Sequence, residues 1–121
     1  MSKSQVQFTK DNEYYTPKEF VQRFGQFDYD PATTAEKARE FGIANFDTKE
    51  TNGLTKDWTL YKRIWINPPF TEKHLFVAKA WETYCRAHNE IFILFPIEFL
   101  TTKRFSDTVR GGGTYSFRMV V

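Results

Sequence analysis

An α/β layer fold is predicted for this chain by three features of its sequence. Short apolar runs alternate with amphipathic segments, the pattern of strands joined through helices. One run, Ile91-Phe92-Ile93-Leu94-Phe95, holds no polar residue, as expected for a strand buried on both faces of a parallel sheet. Another, Ile64-Trp65-Ile66, leads directly into Asn67-Pro68-Pro69-Phe70, so a strand stops at two prolines that cannot continue a ladder. At 121 residues the chain is long enough for a single domain around one core. No internal repeat, linker or low-complexity tract divides it.

The elements follow in order. Met1 to Asn12 is polar and is expected to be loose. Thr16 reads as an N-cap, Pro17 as the first helical residue and Glu19 as a first-turn acid. That helix has Phe20, Val21 and Phe24 on its apolar face and Gly25 at its close. Phe27-Asp28-Tyr29-Asp30-Pro31 reads as a short strand whose alternation places both carboxylates on one face. Ala35 to Phe41 is a short helix ended by Gly42. Asn45 to Trp58 is polar and turn-rich, with Asn52-Gly53 as a tight turn, and its length points to a functional loop. Arg63 to Ile66 is a strand. Lys73 to His88 is a helix with Phe76, Val77, Ala80, Trp81 and Tyr84 on one side. The all-apolar strand stops at Pro96, Thr102 to Val109 forms another short helix, and Gly111-Gly112-Gly113 turns into a last apolar strand, Thr114 to Val121.

Hydrophobic residues make up 40% and charged residues 26%, the balance of an ordinary soluble globular protein. The aromatic share of 18% is high, with phenylalanine foremost; most of those rings belong in a core, and a surplus suits stacking on bases. A net charge of +2 gives no strong global field, so nucleic-acid contact has to come from local patches. Cys85 is the only cysteine, which rules out an internal disulfide and any cysteine cluster for a metal. It is expected to be a buried or half-buried helix residue. His74 and His88 have no ligand partners in the sequence and read as helix-surface residues, so no metal site is expected. Met1 to Gln7 lacks the apolar core of a signal peptide, and no run approaches a membrane span; a reducing cytoplasm fits.

Asn67 to Phe70 carries the chemistry. The exocyclic amine of a nucleobase is a poor nucleophile, because its lone pair is spread into the ring. The Asn67 side-chain oxygen and the Pro68 main-chain carbonyl can each accept one N–H of such an amine and restore density on nitrogen. Phe70 offers a π face for a base lifted out of its helix. Pro68 and Pro69 keep these groups aimed. A plain strand-to-turn punctuation would use the same residues.

Three blocks then line up: Tyr15-Thr16-Pro17; Phe27-Asp28-Tyr29-Asp30-Pro31-Ala32; and Asn52-Gly53-Leu54 with Trp58, followed by Ile66-Asn67-Pro68-Pro69-Phe70. From about Tyr14 to Phe105 the series resembles the small phage-type DNA N6-adenine methyltransferases, the Dam-like family. The resemblance implies a Rossmann-like, S-adenosylmethionine-binding sheet and methyl transfer to adenine in double-stranded DNA, in the cytoplasm of a bacterial host. It implies Tyr15, Thr16 and Pro17 along the methionine end of the cofactor. It also sets the segment Asp28 to Ala32 in place of the usual cofactor turn, with Asp30 ahead of Asp28 as the carboxylate that holds an amino group or a ribose hydroxyl. Asn52 stands where the family usually has aspartate, Leu54 could pack on the cofactor adenine, and Trp58 is expected in the core. Lys73, His74, Lys103 and Arg104 are the candidates for phosphate contact.

Three departures from the family pattern are visible: Asn52 in place of aspartate, Ala32-Thr33-Thr34 where the wider class often has glycines, and an end at Val121 where family members usually carry a further basic, aromatic segment. The expectation is therefore a shortened form, a fragment, or a chain whose apolar Met119-Val120-Val121 edge a second copy or a partner chain could cover. Two other functions stay open at this point: an inactive remnant of the same fold that binds DNA or protein, and a methyltransferase acting on a glutamine side-chain amide.

Overall fold

The computed structural model describes residues 18–94. The expectations for Met1 to Asn12, for the Thr16-Pro17 helix start, for Pro96, and for the helix, glycine turn and strand between Thr102 and Val121 lie outside the described residues. Within them the chain runs α1 (Lys18–Gln22), β1 (Tyr29–Asp30), α2 (Ala35–Phe41), β2 (Asn45–Phe46), β3 (Arg63–Ile66), α3 (Lys73–Ala87) and β4 (Glu90–Ile93). The strands form one parallel sheet in the order β2-β1-β3-β4. α2 joins β1 to β2 and α3 joins β3 to β4. The two connections step in opposite directions along the sheet, so crossovers of one hand leave their helices on opposite faces.

The core has the two layers this requires. On one face Tyr29, Ile64 and Ile66 pack with Phe76 and Ala80 of α3 and with Trp58. On the other, Trp65 packs with Val21 of α1, Phe27 and Ile43, flanked by Phe20, Phe24, Phe41 and Phe92. Alternation along β3 sends Ile64 and Ile66 one way and Trp65 the other. Most of the aromatic content of the described residues is thereby used inside. Thr34 caps α2 by accepting the Lys37 N–H at 3.1 Å, and Gly42 closes it at φ 75°, a left-handed position suited to glycine. α3 ends at His88, φ 54°.

Several expectations change. The polar stretch from Asn45 contains a strand: β2 is two residues long and pairs with β1 through Tyr29–Asn45 and Asp30–Phe46, too short to announce itself by alternation. β4 is half-buried and, among the described residues, lies at the edge of the sheet. Cys85 is exposed, because Thr83 rather than Tyr84 or Cys85 takes the buried position in that turn of α3. Among the described residues no helix is long and apolar enough to cross a membrane.

Candidate active site

The strand order reverses between β1 and β3: the chain leaves β1 for β2 on one side and returns to build β3 and β4 on the other. At such a switch the loops leaving the two central strands part from each other, and the crevice they open is where α/β sheets bind ligands. β1 ends in Asp30-Pro31 and β3 runs through Ile66 into Asn67-Pro68-Pro69, so two of the sequence-marked blocks leave the sheet at this switch point. Tyr29 pairs with Ile64. Asp30 is thus level with Trp65, and Asn67 lies two residues further on in the adjacent strand. At the spacing of parallel strands their Cα atoms are on the order of 8 Å apart.

Asp30 is 3% exposed and accepts the Ala32 N–H at 2.9 Å. Burial pushes its carboxyl up to about 7, opposed only by that one hydrogen bond. The Asn52-Gly53-Leu54 turn closes over the same strand end. A side chain at Gly53 would meet the Pro31 carbonyl oxygen at 2.1 Å, so the two backbones touch. Trp58, 1% exposed, fixes that approach by donating its indole N–H to the Gly53 carbonyl at 2.9 Å. Asn52 sits at φ 58° and accepts the Leu54 N–H at 3.2 Å, which commits its side chain to its own turn. Leu54 and Ala32 both pack partly buried on the Trp58 cluster.

On the β3 side Asn67 and Pro68 are half-buried and Pro69 is exposed. Phe70 opens a short 3-10 turn, Phe70–Glu72, and is 71% exposed. Lys73 and His74 begin α3, both half-buried. The Lys73 ammonium lies 4.1 Å from the Phe70 ring centroid and donates to the Phe70 carbonyl at 3.1 Å.

The family model described as DNA N-6-adenine-methyltransferase (Dam) matches residues 3–111, nearly the whole chain. This chain belongs to the Dam family. A DNA N-6-adenine-methyltransferase of Escherichia phage T1 is 35% identical over 87 residues, which cover 69% of this chain and 35% of the phage protein. The Dam-family chain thus spans about a third of that relative's length. No solved structure matches it.

One sequence assignment is corrected. Asp28 was expected to share a face with Asp30 and stand second to it at the cofactor. Its two oxygens instead accept the amides of Lys62 at 3.0 Å and Arg63 at 2.9 Å, and its own N–H donates to the Arg63 carbonyl at 2.9 Å. It ties the amino end of β1 to the start of β3, away from the crevice. Tyr15, Thr16, Pro17, Lys103 and Arg104 lie outside the described residues.

The sequence reading passed over Asp47. It follows β2 as Asp30 ends β1, and the strand ends are tied by Asp47 N–H to Asp30 carbonyl and Thr33 N–H to Asp47 carbonyl, each 3.0 Å. Burial works against its charge, yet hydrogen bonds from Lys56 and Tyr29, each 2.6 Å, hold its carboxyl below the usual range. Burial and the same aspartate keep the Tyr29 hydroxyl protonated. These residues border an open groove of about 390 Å³ with Asn45, Leu60 and Tyr61. The available signal was spacing, an acid some 17 residues beyond Asp30, close to the separation at which nucleotide-binding sheets of this kind place a ribose-holding carboxylate.

Proposed function

We propose that this Dam-family chain transfers a methyl group from S-adenosylmethionine to the exocyclic amine of an adenine lifted out of double-stranded DNA, on a Rossmann-like sheet. The observation that carries the reading is the meeting of Asn67-Pro68-Pro69-Phe70 with a buried Asp30 at the point where the strand order reverses. The phage relative's name, and the family's, point to the same reaction.

The residues at the end of β1 suit such a cofactor. Asp30 is a buried carboxylate whose ionisation is disfavoured until a positive group arrives, and the ammonium of a methionine moiety is such a group. Ala32 and Leu54 add apolar surface beside it, while Asn52 holds the turn that carries Leu54. Tyr15, Thr16 and Pro17 immediately precede α1 and are assigned the methionine end. Bound here, S-adenosylmethionine supplies an electrophilic methyl on a sulfonium, so this chain needs neither a nucleophilic side chain nor a metal for the transfer.

The chain's own work is on the acceptor. The Asn67 Oδ1 and the Pro68 carbonyl take the two amine N–H groups and so localise the nitrogen lone pair. Alternation continued from Trp65 through Ile66 would aim Asn67 to the face on which Asp30 lies, which lets donor and acceptor meet. Phe70 stacks on the extruded base, and Pro68 and Pro69 restrain the backbone between it and Asn67. Flipping costs a few kcal/mol, and stacking returns about 1–3 kcal/mol of it. His74 on this side, with Lys103 and Arg104, is assigned to phosphates, and a second copy or partner chain to the Met119-Val120-Val121 edge.

Incubation with methyl-labelled S-adenosylmethionine and unmethylated DNA, followed by nucleoside analysis, tests this. The expected product is N6-methyladenine. Asn67→Ala is expected to lower turnover by about a hundredfold or more while cofactor affinity stays within about twofold. Label appearing only on protein would replace the reading with amide methylation. Absence of any cofactor binding would replace it with an inactive remnant.

A further inference from the structure

The geometry points to Lys73 as a positioning residue that holds the Phe70 ring in place as the stacking platform, rather than as a ligand of DNA phosphate; this rests on the adenine-transfer reading. Pro68 and Pro69 restrain backbone but not the torsions of the side chain that follows them. Phe70 is 71% exposed, so packing does little to set its ring plane. Lys73 does so from two points: its ammonium lies 4.1 Å over the ring centroid and is hydrogen-bonded at 3.1 Å to the carbonyl of the same residue. The spacing of three residues across the Phe70–Glu72 turn makes both contacts reachable by one side chain.

α3 starts with Lys73 and His74 directly after its N-cap Glu72, the acid at this helix start, and the Lys73 ammonium turns back toward Phe70. A cation over one ring face leaves the opposite face for the base. It also draws electron density through the ring, which favours contact with an electron-rich purine on the open side. Lys73 thereby couples the start of α3 to the residue that receives the adenine.

Single-turnover methylation of unmethylated plasmid DNA is to be compared for the full chain and for Lys73→Met, Lys73→Arg, Phe70→Leu and the Phe70→Leu/Lys73→Met pair, each checked for folding by circular dichroism. Lys73→Met is expected to lower the rate about tenfold with the salt dependence of DNA binding unchanged, and Lys73→Arg to restore most of it. In the Phe70→Leu background Lys73→Met is expected to cost nothing further. A full tenfold loss in that background overturns the proposal. So does a salt slope flattened by about one, which would make Lys73 a phosphate contact. A wild-type chain that transfers no methyl overturns the adenine reading instead; the pairing is then read from Lys73 ε-methylene resonances shifted upfield by the ring, whose absence, or persistence in Phe70→Leu, overturns it.

Discussion

Asp28 and Asp30 are separated by one residue, yet the first gives both oxygens to the amides of Lys62 and Arg63, while the second is 3% exposed and accepts one N–H. The difference is between the two ends of one sheet. At the amino end, backbone donors and carboxylate satisfy each other. Arg63 adds an ion pair to Glu90 at 2.7 Å, bonds to the carbonyls of Phe24 and Gln26, and lies over the rings of Phe27 and Phe92. Among the described residues these groups satisfy one another. At the carboxyl end, among the described residues, a buried acid lacks a cation, an aromatic ring stands in solvent, and a glycine is pressed against a proline. Stability is concentrated at one end of the strands and chemical potential at the other.

The contrast can be broken first at Asp30. Its folded pKa of about 7 lies above the ordinary 3.8, so between those values the folded chain keeps a proton that the unfolded chain releases. Raising the pH through this window therefore favours unfolding, and above it the penalty is constant. Asp30→Asn removes the penalty: the variant is expected to match wild type near pH 4 and to exceed it by roughly 4 kcal/mol at pH 7, read from urea melts across that range. Gly53→Ala comes next. The added carbon meets backbone atoms of Pro31 that cannot swing aside, and a loss of about 3 kcal/mol in the same melts is expected. Asp28→Ala follows, with two amides left without their acceptor and a loss of about 2 kcal/mol in the same melts.

Much of this division was legible in the sequence, and its limits are physical. Arg63 to Ile66, Ala35 to Phe41 and the helix from Lys73 announced themselves through apolar period and caps, and they recur within a residue or two. Asn67-Pro68-Pro69-Phe70 was readable because prolines fix a strand's end without help from tertiary contacts. Asp28 misled because alternation tells which side a residue faces but not which neighbours reach it, and its partners come from Lys62 and Arg63, more than thirty residues away. β2 was missed because two residues carry no period. Asp47 was missed with it, and so was the hold of Lys73 on Phe70, since a lysine at a helix start reads equally as solvated charge.

The central claim is that the carboxyl end of β1 is a cofactor site built on Asp30, next to an acceptor site built on Asn67. Calorimetric titration of S-adenosylmethionine into wild type, Asp30→Asn and Asn67→Ala tests it most directly. The account predicts saturable binding to wild type and to Asn67→Ala, and at least a tenfold weaker affinity for Asp30→Asn at pH 7.5, where that variant is expected to be folded and is checked by the same melts. Wild-type affinity in Asp30→Asn would contradict it.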